Sequence, residues 1–98
     1  MNEKRMLYSD CIRIYEVEET FIDSLGELGL VRLSGDGDDR FVEYDELELL
    51  EQFIRWHNDM DINVEGIEAL HHMLMRVKLL QAEIDSLKNE LQFYRSLI

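Results

Sequence analysis

Ninety-eight residues, 46% hydrophobic and 33% charged, are enough for one small domain plus an extension and too few for two full cores. The net charge of −12 is hostile to a polyanionic partner, and every apolar run is too short to span a membrane. Met1–Arg5 is charged and leads to Tyr8 and Ser9 without an apolar signal core. Cys11 is the single cysteine, so a reducing cytoplasm is expected and an internal disulfide is not.

Ser9 is placed to cap a short first helix over about Asp10–Tyr15, with Cys11, Ile12 and Ile14 on its apolar side. After a break near Tyr15–Glu18, a second helix is predicted from about Glu18 to Leu28. Phe21, Ile22, Leu25 and Leu28 fall at i, i+1, i+4 and i+7 and form its buried stripe. Glu18 and Glu19 suit the positive end of its dipole, and Gly29 is a suitable stop. Leu30–Leu33 and Arg40-Phe41-Val42 flank the turn Ser34-Gly35-Asp36-Gly37-Asp38-Asp39, which reads as a β-hairpin. A third helix follows over about Tyr44–Asn58, with Leu47, Leu50, Phe53, Ile54 and His57 on one face. Asp59–Asn63 interrupts it, and Asn63 can cap a fourth helix that carries Glu65 in its first turn.

The fourth helix is predicted over about Val64–Leu97. Val77, Leu80, Ile84, Leu87, Leu91, Tyr94 and Ile98 alternate spacings of three and four, which is a coiled-coil seam. A lone helix cannot hide this stripe, so pairing with a second copy is expected. In a parallel pair, Glu83 meets Lys88 and Glu90 meets Arg95, each exposed pair contributing under about 1 kcal/mol. Three heptads leave the direction open. The domain boundary falls between residues 62 and 63.

The order helix, helix, hairpin, helix, long helix resembles that of MerR-like winged helix-turn-helix proteins. The likeness rests on Gly29-Leu30 after the second helix, Arg40-Phe41-Val42 closing the wing and Glu46-Leu47 opening the third helix. Asn63-Val64-Glu65-Gly66-Ile67 opens the fourth. Val42 stands where that pattern has an aromatic. Within this superfamily, Ile54–Ile67 and the leucine-rich tail (Leu74, Val77, Leu80, Glu83, Ile84, Leu87) are similar to the chaperone-modulator family CbpM. The likeness covers about Tyr8 to Leu91. It implies a mainly α fold and a dimeric, non-enzymatic cytoplasmic protein. It also implies binding and restraint of the J-domain of a DnaJ-like co-chaperone, a domain that carries a basic helix.

DNA-binding members carry a Thr-Leu-Arg-x-Tyr run on the second helix. The corresponding run here is Phe21-Ile22-Asp23-Ser24-Leu25, with Asp23 in place of the arginine. Thirteen acidic residues lie between Glu16 and Glu51, opposed only by Arg32 and Arg40. Such a face repels phosphate and complements a basic polypeptide. Glu18, Glu19, Asp23 and Glu27 are therefore the candidate partner-binding residues, weighed against a merely solvated surface. The alternative is a transcriptional regulator that binds DNA as a dimer through Arg5, Arg13, Arg32 and Arg40.

Other features carry bland readings. Asp36-x-Asp38 has the spacing of two calcium ligands, but Leu47 stands where the bidentate glutamate belongs, so a polar turn is expected. Neighbouring His71 and His72 diverge on a helix, and His57 is isolated, so no metal site is expected. Cys11 reads as a buried thiol and Trp56 as a packing residue. The chain offers no nucleophile–base pair and no phosphate loop, so neither catalysis nor a cofactor is expected.

Overall fold

The structure, a computed structural model, describes residues 5–98, with Asp38 described by its backbone alone. Most of the charged start and the side chain of one weighed calcium ligand therefore lie outside the described residues. In chain order the elements are β1 (Arg5–Leu7), α1 (Tyr8–Tyr15), α2 (Glu19–Glu27) and β2 (Leu33–Ser34). A 3₁₀ turn (Gly37–Asp39), β3 (Phe41–Glu43), α3 (Tyr44–Met60) and α4 (Val64–Ser96) follow. The fold is mainly α, a winged helix-turn-helix followed by a long C-terminal helix. The chain divides into two compact units, the first ending at Glu68 and the second covering Ala69–Ile98.

The first helix begins earlier than the sequence suggests. Ser9 lies inside it, Leu7 holds the cap position, and no side chain caps it. The reason is β1, which the sequence did not announce. It pairs antiparallel with β3, Arg5 opposite Glu43 and Leu7 opposite Phe41, and runs straight into α1. The Tyr8 N–H donates to the Arg40 carbonyl at 2.8 Å, so a tertiary bond replaces the expected local cap. The buried stripe is consequently built on Tyr8 and Cys11, with Ile12 and Tyr15 packed against the core, an i, i+3, i+4, i+7 set. Ile14 lies off that stripe and is exposed.

Glu16 closes α1 in the left-handed conformation (φ 55°), its N–H bonded to the Ile12 carbonyl. Val17 is buried in the turn to α2. Phe21, Ile22 and Leu25 point into the core as expected, while Leu28 ends the helix with its side chain 42% exposed. Gly29 takes the left-handed conformation (φ 73°). Its N–H bonds to Gly26, and that of Leu30 reaches back to Leu25 at 2.9 Å, a Schellman closure sealed by two buried leucines. Leu30 and Val31 thus enter the core from a loop rather than a strand. The hairpin is correspondingly short: β2 pairs with β3 through Leu33–Val42 and Ser34–Phe41, and β3 is the middle strand of three.

Val42, Leu50 and Phe53 are fully buried, and Leu47 and Ile54 nearly so. Each contributes about 1.5–3 kcal/mol relative to exposure. Trp56 packs on this core, its ring 5.7 Å from that of Phe53. Helix α3 runs two residues past the expected end, to a left-handed Asp61 (φ 55°). Asn63 then caps α4 as expected, its Oδ1 accepting the Gly66 N–H at 2.8 Å. Ile67 is the one fully buried residue of α4. Along Ala69–Ile98, Val77, Leu80, Ile84, Leu87, Leu91 and Tyr94 are each between 45% and 63% exposed. No helix among the described residues is long and apolar enough to cross a membrane.

Candidate functional site

Helical spacing of about 100° per residue sorts the acids of α2. Phe21, Ile22 and Leu25 face inward. Glu19, Asp23 and Gly26 share one outward side, and Thr20, Ser24 and Glu27 the other, with Glu18 ahead of the helix at its cap position. Their neighbours confirm the division. Glu19 lies in a shallow hollow with Tyr8, Ser9 and Arg40. Asp23 and Glu27 line a cleft beneath the wing with Arg32, Leu33 and Arg40. Glu18 and Glu27 border a groove with Phe21, Leu28, His57, Val64 and Glu65. The four sequence-selected carboxylates therefore form a band around the outward side of α2, with Glu27 in the middle.

They are not equivalent. Glu18, Glu19 and Glu27 are exposed, whereas Asp23 is half-buried and engaged. One of its oxygens, Oδ1, accepts the Tyr8 hydroxyl at 2.6 Å and lies 3.2 Å from Nη1 of Arg40. The Arg40 guanidinium is stacked 3.9 Å above the Tyr8 ring, and its Nε donates to the Gly37 carbonyl. Burial first, then the Asp23 carboxylate, pushes the Tyr8 hydroxyl up to about 12, so it stays protonated and donating at neutral pH. The absence of a basic residue on α2 is thus partly offset in space, because the wing delivers Arg40 to Asp23.

Two of the other arginines weighed as phosphate contacts also have side-chain neighbours. Arg5 lies 4.2 Å over the Phe41 ring, and Arg13 pairs with Asp10 at 3.0 Å. The backbone N–H of Arg32 donates to Oε1 of Glu46 at 2.7 Å, tying the wing to α3. Tyr15 donates to Glu51 at 2.6 Å, linking α1 to α3, and burial and that carboxylate together raise its pKa. Cys11 is fully buried, and desolvation pushes its thiol up to about 11, which makes it a packing residue rather than a nucleophile. His71 and His72 diverge, their rings 6.0 Å apart. Among the described residues no three His, Cys, Asp or Glu side chains converge on a metal position.

Sequence reasoning missed Arg40 on Asp23, the stacking of His57 on Phe21 at 4.3 Å and the position of Glu65 beside α2. Each joins residues from different elements, so no local periodicity signals it.

A helix-turn-helix of α1 and α2, a three-stranded wing, α3 and the long α4 define a winged helix-turn-helix regulator. Residues 6–89 match the family of MerR HTH family regulatory proteins, and the chain belongs to that family. No curated protein and no solved structure shows a match.

Proposed function

We propose that the protein is a MerR-like regulator whose reading helix binds a basic protein surface, the J-domain of a DnaJ-like co-chaperone, and inhibits it, as the CbpM resemblance implies. The observation that carries this reading is the fate of positive charge around α2. The helix presents Glu19 and Glu27 outward and no lysine or arginine of its own. Arg40, a wing cation beside α2, is held by Asp23 and Tyr8. Phosphate contacts dominate the affinity of DNA readers, so an internally paired arginine within a net charge of −12 weakens that use. The same field accelerates encounter with a cationic polypeptide. The exposed seam of α4 supports a homodimer, and no step of this function calls for catalysis.

The engagement of Asp23 dictates the test. Reversing Asp23 would set a lysine against Arg40 and disturb the wing, so the informative variant is Glu19→Lys with Glu27→Lys, both exposed. Calorimetric titration of a J-domain is expected to show at least about a tenfold loss of affinity with an unchanged melting curve. Undiminished binding by the double variant would remove α2 from the interface.

Family membership supports a second reading, a dimeric transcriptional regulator. A gel-shift at low salt separates the two: tight duplex binding would favour it.

A further inference from the structure

The groove between α2 and the α3–α4 junction has a composition that the rest of the acidic band lacks. Its floor combines the apolar Leu28, 42% exposed at the end of α2, Val64 at the start of α4 and the stacked Phe21 and His57 rings with the uncharged polar Thr20, Ser24 and Asn63. Its rim carries Glu18, Glu27 and Glu65, and among the described residues no lysine or arginine lines it. Nδ1 of His57 lies 2.9 Å from the Ile62 carbonyl, which can only accept, so Nδ1 carries the proton and the ring is held in place as part of the wall. By contrast, the hollow beside Glu19 and the cleft beside Asp23 both contain Arg40.

We infer that this groove is the docking site for a basic amphipathic helix of the partner protein. The walls are helices and a helix junction. They offer no unpaired strand edge, so an extended peptide gains no main-chain ladder there and a helix is the fitting occupant. Apolar side chains one turn apart on such a helix rest on Leu28 and Val64. Lysines or arginines on its shoulders reach Glu18 and Glu27 on one side and Glu65 on the other. The charges select and orient, and the apolar part of the floor supplies most of the contact energy. This places the contact on the Glu18–Glu27 side of α2 rather than the Glu19–Asp23 side. It rests on the proposed function only in taking the partner to be basic.

The test uses the whole chain, with Leu28→Ser and Glu65→Lys as groove variants and Glu48→Lys, on α3 and outside the groove, as the charge control. All three positions are exposed, and thermal melts confirm folding. Each groove variant is expected to weaken J-domain binding about tenfold or more, and Glu48→Lys to change it by less than about threefold. Groove variants that stay tight, while Glu19→Lys with Glu27→Lys loses binding, overturn the groove and leave the functional reading intact. If the wild-type chain binds no J-domain, the functional reading fails instead. The groove is then judged with a synthetic Lys/Leu amphipathic helix by amide-shift mapping. Shifts gathered at Phe21, Leu28, His57 and Val64 support the site, and shifts absent or spread evenly over the acidic band overturn it.

Discussion

Asp23 shows how a single position changes meaning between chain and fold. In the chain it is one more acid on an acidic helix, standing where DNA-binding relatives have arginine. In the fold it is the acceptor that fixes Tyr8 and Arg40. The ion pair is partly exposed, 32% and 40%, so screening limits its worth, while the hydrogen bond from Tyr8 is short and charge-assisted. Asp23→Asn is expected to cost about 1 kcal/mol in urea unfolding at neutral pH. Tyr8 adds a pH dependence of definite sign. Its pKa rises from 10.0 to about 12 on folding, so between those values the unfolded chain holds fewer protons. The stability it supplies is complete below pH 10.0 and is lost as pH climbs towards about 12. Tyr8→Phe should flatten that part of the alkaline decline, leaving the part due to Tyr15; unfolding curves recorded across this range check it.

Helix ends and turns are the best-read parts of the chain because their chemistry is local. Gly29 stops α2 since a left-handed residue is needed there, and the Schellman closure joins the buried Leu25 and Leu30 on either side of it. Asn63 caps α4 because a short carboxamide reaches the Gly66 N–H three residues on. Asn63→Ala should therefore destabilise the chain by about 1 kcal/mol, seen as a lower urea midpoint with an unchanged slope. Ser9 satisfied the same local rule and was overruled, because strand β1 brings the Arg40 carbonyl to the Tyr8 N–H and the helix starts early. Leu30 and Val31 have the composition of a strand but serve as core plugs after the Schellman turn, where burial outweighs propensity. Ile14 and Leu28 look like core from periodicity, yet both lie at the margins of their stripes and stay exposed.

For the molecule as a whole, two features govern what it meets: its charge and its last helix. With a net charge of −12, binding to a basic partner should weaken steadily with added salt. The exposed seam from Val77 to Tyr94 leaves a long helix without a partner, a costly arrangement for an isolated α4 about 50 Å long. We expect the 98-residue chain to sediment as a dimer. Ile84→Lys with Leu87→Lys should shift it to a monomer in sedimentation equilibrium and reduce helicity by circular dichroism. A wild-type monomer at micromolar concentration would refute that assignment.

The order of the four helices and the hairpin, the acidic character of α2 and the apolar seam of α4 were all present in the chain. They depend on spacing and composition within one segment, which short-range rules capture. Folding alone settled which of the four carboxylates on and just before α2 are available. It brought Arg40 from the wing to Asp23, and His57 and Glu65 from the α3–α4 junction to the other side. Those meetings join residues distant in sequence, and their geometry follows from how the core packs the elements, which no single segment encodes.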